Sequence, residues 1–335
     1  MQTKQLYFQN KINDPAIKKA AAFIRSGEIV AFPTETVYGL GADATNASAV
    51  EKIFRAKGRP GDNPLIVHIA DQSQMNSLVG DYPVYVDELI KAFSPGPITY
   101  VLNSNGTVSE RVTAGLDTVG IRIPSHPAAN NLLTIAKRPI AAPSANLSGK
   151  PSPTNAGHVR QDMNGRIAAI LDGGAANVGV ESTVIDCTGA YPVILRHGGI
   201  SAAEIDEVIQ IQTKQTEVEE LSKPKSPGTK YKHYVPDVSL ILVNDTINLQ
   251  EIIQTEQANG KRVGALVTDQ TAQEIKADKI YSYGKDEREL ARHLYANLRL
   301  MNRKDVDIVF AEKITADTVG HAVLDRLQRA ADSII

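Results

Sequence analysis

Lys57 and Arg59 flank Gly58 where a helical pattern breaks off at Pro60, and Asn63 and His68 follow within the next apolar run. Cations and neutral donors on a loop between strand ends are the ingredients of a phosphate site. The same pair also reads as a solvated cationic cap that gains a little from the helix dipole. Their setting between two apolar runs, Ile29 to Phe32 and Pro64 to Ala70, favours the anion site. Arg122 poses a sharper question, because it lies inside the apolar run Val119-Gly120-Ile121-Arg122-Ile123. A guanidinium there needs an anionic partner, either a buried Asp or Glu or a bound carboxylate or phosphate. Arg196, closing the run Val193 to Leu195, raises the same question. A second loop, Pro143-Ser144-Ala145-Asn146, is dense in hydroxyl and amide groups, which serve a ligand or simply turn the chain. His68, alone between Val67 and Ile69, reads by default as a satisfied core histidine, and no second ligand at metal spacing accompanies it.

The elements that must position these groups follow from periodicity. A strand is expected over Gln5 to Phe8, and a helix over Asp14 to Arg25 with Asp14-Pro15 as cap and first turn. The buried run Ile29 to Phe32 feeds a cluster of hydroxyls, Thr34, Thr36 and Tyr38, after which Gly39 and Gly41 are expected to turn the backbone tightly or admit a ligand. A helix is expected to begin at Ser48, with Val50, Ile53 and Phe54 at helical spacing. Strands at Ile98 to Leu102, Thr118 to Pro124, Ala168 to Asp172, Glu181 to Asp186 and Val193 to Arg196 alternate with helices at Pro127 to Ile135 and Asn155 to Met163. Thr118 and Arg122, four apart in one strand, share a face. A helix from Ser201 to Ile209, with Glu204 at capping-box spacing, closes a first domain over 1–211.

Residues 212–236 change in composition, with few large aliphatics, three prolines and mixed charge. Their second half, Ser226 to Tyr234, concentrates cations and aromatics that a passive spacer does not need. From 237 to 335, strands alternate with helices, which predicts a small parallel sheet with helices on both faces. The whole chain is therefore expected to be α/β.

The 335 residues carry 36 Lys and Arg against 38 Asp and Glu, for a net charge of −2. A protein that coats nucleic acid along one broad face is usually more basic, so any RNA contact, a weak one to tRNA included, is expected to be local. The single cysteine, Cys187, sits in an apolar run and reads as a small buried hydrophobe in a protein of the reducing cytoplasm. No apolar run approaches the ~18 residues that a membrane span needs. The phosphate loop ending in Gly-Lys-Ser/Thr, His-Glu-x-x-His and paired cysteines are all absent, and Gly39-Leu40-Gly41-Ala42-Asp43-Ala44 matches the dinucleotide fingerprint only loosely, without a helix opening at its last position.

Taken together, Pro33-Thr34-Glu35-Thr36-Val37-Tyr38-Gly39-Leu40, Lys57-Gly58-Arg59-Pro60 with Asn63-Pro64-Leu65, and Pro143-Ser144-Ala145-Asn146 closely resemble the YrdC/Sua5 family, with its Lys-x-Arg and Ser-x-Asn elements. The stretch Ser226-Pro227-Gly228 to His233-Tyr234 and Pro236, with the α/β module after it, is similar to the longer two-domain Sua5 form. The resemblance implies a twisted open mixed sheet with a concave cavity, followed by a smaller Rossmann-like domain. It implies a synthase that joins L-threonine, bicarbonate or CO2, and ATP into threonylcarbamoyl-AMP and pyrophosphate. A separate transferase would then pass the group to the tRNA adenosine beside the anticodon. Carried over residue by residue, it places Thr36, His68, Arg122, Ala142 and Ser182 around threonine. It places Arg59, Asn63, Thr118, Ser144, Asn146, Ser152 and Arg196 around ATP, with Lys57 and Arg59 at the reacting phosphates and Tyr231 or Tyr234 covering the nucleotide. Mg2+ is expected to arrive on the ATP phosphates rather than in a protein cage. The linker is expected to act as a lid over a labile mixed anhydride. Three rival readings remain: an RNA-binding module without catalysis, a related carbamoyl-adenylating enzyme, and a nucleotide-binding regulator.

Overall fold

The computed structural model describes residues 2–11, 13–215, 233–244, 248–314 and 319–335. The chain divides into two compact units, Met1–Ser148 with Pro153–Lys230, and Gly149–Ser152 with Tyr231–Ile335. Most of the expected linker lid, including Tyr231, lies outside the described residues.

The first unit is built on one mixed sheet of eleven strands. In chain order these are β1 (Lys4–Tyr7), β2 (Val30–Phe32), β3 (Gly39–Asp43), β4 (Ile66–His68), β5 (Ile98–Asn103), β6 (Thr118–Arg122), β7 (Ile140–Ala141), β8 (Ala169–Asp172), β9 (Thr183–Asp186), β10 (Val193–Arg196) and β11 (Lys214–Gln215). Their order across the sheet is β1-β8-β2-β3-β7-β4-β6-β5-β9-β10-β11. Helices cover both faces. Helix α1 (Pro15–Arg25) begins where the Asp14 side chain accepts from Ala16 N, with Pro15 pre-set for the first turn. It buries Ile17, Ala20, Ala21 and Ile24 against Leu6, Val30 and Leu132. Each such isoleucine contributes about 1.5–3 kcal/mol by leaving water. The other face carries the larger core, in which Val50, Ile53 and Phe54 of α2 (Ala47–Lys57) meet Leu40, Val67 and Ile121. The cap of α2 is Asn46, whose side chain accepts from Ser48 N and Ala49 N, so the helix starts one residue before the expected Ser48.

Of the two alternatives expected at Gly39 and Gly41, a tight turn or close approach to a ligand, the turn is corrected. Both glycines lie inside β3, which pairs antiparallel with β2 through Phe32↔Gly39 and Val30↔Gly41. They answer to packing: a Cβ on Gly41 would stand 2.7 Å from Ile140 Cγ2 and 2.8 Å from Phe32 Cε1. No helix opens after this glycine pair until Ala47, so the loose dinucleotide pattern has no dinucleotide geometry.

The second unit is a five-stranded sheet of β12 (Ser239–Val243), β13 (Val263–Val267), β14 (Lys279–Ser282), β15 (Ile308–Glu312) and β16 (Ser333–Ile334), in the order β14-β13-β15-β12-β16. Every pairing is parallel, as the strand–helix alternation predicts. Val263, Ala265, Val267, Phe310 and Ile253 form its own core. Among the described residues no helix is long and apolar enough to cross a membrane.

Candidate active site

Strands β4 and β6 run parallel in the register His68↔Arg122, so the two side chains are neighbours on one face at the carboxyl ends of their strands. The question posed by Arg122 has a definite answer. It is 4% exposed, and its Nη2 donates to Glu35 Oε1 at 2.7 Å. The other Glu35 oxygen accepts from Ser125 N at 3.1 Å. Glu35 belongs to the Pro-Thr-Glu-Thr segment between β2 and β3, so that segment supplies the buried carboxylate the guanidinium requires. Sequence reasoning had assigned Glu35 no role. The signal was there in the unmet need of Arg122, but the partner is 87 residues away.

The pairing is incomplete in a telling way. Arg122 Nε, His68 Nδ1 and both amide atoms of Asn63 are buried with no hydrogen-bond partner. Each such atom costs about 1–3 kcal/mol of desolvation; those of His68 and Arg122 sit on adjacent strand ends, whereas Asn63 precedes the opposite end of β4. Burial first, and then the Arg122 charge, hold His68 down at about 3, so its imidazole is neutral at physiological pH. Phe32 meets that ring edge-on at 5.8 Å. Thr36 is fully buried, and its hydroxyl lies 2.8 Å from Thr34 Oγ1, which also donates to Val37 O and so folds the segment back on itself. Ala142, the first residue after β7, donates its N–H to Ile66 O of β4.

The ladder continues from β6 through β5 to β9 and β10. It brings Ser182 Oγ to 2.8 Å from Thr99 Oγ1. Arg196 reaches back from β10, donating through Nη2 to Ser182 O at 3.0 Å and to Ser182 Oγ at 3.2 Å. Arg196 therefore meets backbone and hydroxyl oxygens here. Thr118 opens β6 opposite Asn103, four residues and about 13 Å from Arg122. The two residues assigned to different ligands thus stand a strand length apart.

On the other flank, the loop that follows β7 is tied to β3 and to the residue before it. Leu40 N donates to Pro143 O at 2.7 Å and Ala145 N to Tyr38 O at 2.8 Å. Lys57, the last residue of α2, is 3% exposed, and its ammonium lies on Ser144 O at 2.5 Å and Asn146 O at 2.7 Å. Arg59 is half-buried, with Nη2 3.5 Å from Asn63 O. Ser152 and Tyr234 belong to the second unit. Ser152 is buried within the Gly149–Ser152 segment, and Tyr234, at φ +67°, lies with its ring 5.1 Å from that of Tyr295. Among the described residues no group of three His, Cys, Asp or Glu side chains is placed to hold a metal ion. Cys187 is buried and unoxidised, with its thiol pushed up by burial, the environment of an inert hydrophobe.

Comparison with known proteins gives the same picture over the full length. The Sua5/YciO/YrdC family profile, described as "Telomere recombination", matches residues 22–198. The profile described as "Threonylcarbamoyl-AMP synthase, C-terminal domain" matches residues 200–332. The chain is 49% identical over 324 residues to the threonylcarbamoyl-AMP synthase of Bacillus subtilis, covering 95% of this chain and 94% of that protein. It is 44% identical over 330 residues to the synthase of Pyrococcus abyssi, covering 96% of each. The crystal structure of P. abyssi Sua5 complexed with L-threonine superposes with a TM-score of 0.93 at 42% identity, covering 100% of this chain and 99% of that one.

Proposed function

The chain belongs to the Sua5/YciO/YrdC family of threonylcarbamoyl-AMP synthases, and we propose on that premise how its own residues divide the work. The enzyme uses ATP and L-threonine. Arg122, fixed by Glu35, takes the threonine carboxylate, using the Nε that has no partner among the described residues. Neutral His68 offers Nδ1 to the substrate's amine or hydroxyl, with Thr36, Ala142 and Ser182 closing the same pocket. Arg59, Asn63, Thr118, Ser144, Asn146 and Arg196 of the first unit hold the nucleotide.

Threonine's neutral amine adds to the carbon of CO2 and loses one N–H proton to solvent, or adds to that of bicarbonate with loss of water, to give an N-carboxylate. One of its oxygens then attacks the α-phosphorus of ATP in line. The bond from that phosphorus to the bridging oxygen breaks, and pyrophosphate leaves with the electron pair. Mg2+ enters as part of the nucleotide substrate and offsets charge on the leaving group. No covalent step falls to the protein. It must hold two anions together against their repulsion and keep water out, which accounts for a site of buried donors without a dedicated base. A cytoplasmic location fits one reduced, buried cysteine. Delivery of the product to a tRNA-modifying transferase completes the proposal.

The unfulfilled buried atoms of Arg122, His68 and Asn63 on the first unit are the observation that carries this assignment. Incubation with ATP, bicarbonate and a panel of amino acids tests it. Pyrophosphate release that depends on threonine is expected; release indifferent to the amino acid would contradict it.

A further inference from the structure

We propose that Lys57 is a positioning residue that fastens the nucleotide-binding loop 143–148, and not a ligand of the transferring phosphates. The proposal deepens the reading above and rests on it. Lys57 ends α2, and three hydrogen bonds run between it and the loop. Its ammonium donates to Ser144 O at 2.5 Å and to Asn146 O at 2.7 Å. Its own carbonyl accepts from Ser148 N at 2.9 Å. One residue thus grips the start, middle and end of the stretch that carries Ser144 and Asn146.

The chemistry suits a lysine. Two loop carbonyls turned toward one point concentrate partial negative charge, and an ammonium answers both with charge-assisted bonds. The site is at the negative end of α2, which favours a cation further. Gly58, at φ +63°, lets the chain leave the helix at once, so that the Lys57 carbonyl is turned to Ser148 instead of continuing the helix. The loop is also held through Leu40 N to Pro143 O and Ala145 N to Tyr38 O, and Leu147 N donates to Asp162 Oδ2 at 3.4 Å. Remove the ammonium and those bonds remain while the Ser144 and Asn146 carbonyls lose it. Arg59, two residues on and half-buried, is the cation of the signature pair placed to meet phosphate.

Lys57→Met, which keeps length and apolar stem, tests the proposal in the full chain. Affinity for a non-hydrolysable ATP analogue is expected to fall about tenfold or more, with kcat at saturating ATP reduced less than about threefold and threonine affinity unchanged within about twofold. Adding Ser144→Ala to Lys57→Met is expected to cost far less than Ser144→Ala alone, because the hydroxyl is already misplaced. A loss of kcat with nucleotide affinity intact would overturn the proposal and put the ammonium on the transition state. Should the variant not fold, amide exchange on the unaltered protein without nucleotide decides: Ser148 N–H protected is expected, and exchange at the rate of an open loop overturns it. Absence of threonine-dependent pyrophosphate release from the unaltered enzyme would count against the functional reading alone, since loop protection is independent of it.

Discussion

Glu35 and Arg122 form the buried ion pair at the centre of the proposed threonine subsite. Both are almost fully buried, 6% and 4% exposed, and each would be an uncompensated charge without the other. Glu35→Ala is expected to lower stability by about 3–5 kcal/mol in urea unfolding and to weaken threonine binding as well; a variant of unchanged stability would mean that Arg122 has another partner. His68 makes a pH prediction whose sign is fixed. Its value is 6.5 in the unfolded chain and about 3 when folded, so as pH falls below 6.5 the unfolded state takes up a proton that the folded state refuses. Stability present above pH 6.5 is therefore lost as pH falls toward 3, by about 2 kcal/mol between pH 7 and 5. His126, also lowered by burial, acts in the same direction. Urea titrations at pH 7 and 5 should show a shallower loss for His68→Gln than for the unaltered protein, and equal slopes would remove His68 as the cause.

At the scale of elements, much was legible and the failures have physical reasons. Caps and periodicity placed α1 and the capping box of Ser201 and Glu204 correctly, because these depend on residues within a few positions of one another. The strands of the second unit were readable as near-continuous apolar runs, as buried parallel strands are. The two-residue edge strands β11 and β16 were not, since so short a stretch has no period. A turn is one of two alternatives that the sequence suggests at Gly39 and Gly41, because a glycine's local freedom is visible there, whereas the Phe32 and Ile140 side chains that exclude a Cβ at Gly41 come from other strands. Gly41→Ala should accordingly cost about 1–3 kcal/mol in overpacking, measured by chemical unfolding. A neutral result would show that Ile140 and Phe32 yield without strain.

At the scale of the molecule, the chain splits into two units of different logic. The first is a mixed sheet whose order, with β7 between β3 and β4 and β8 between β1 and β2, no local pattern could reveal. That order brings Glu35, His68, Arg122, Ser182 and Arg196 within one ladder of neighbouring strands and loops. The motif residues were recognisable one by one; which of them touch was not, and Lys57, expected beside phosphates, lies on loop carbonyls. The second unit carries a parallel sheet and also claims Gly149–Ser152, a segment far from it in sequence. The proposed chemistry, a threonine carbamate that receives adenylate, is tested by mass spectrometry of the nucleotide product formed from ATP, L-threonine and carbon-13 bicarbonate. Threonylcarbamoyl-AMP carrying one heavy carbon is expected, with pyrophosphate in equal amount. An adenylate that contains threonine without the heavy carbon, or no threonine at all, would contradict it.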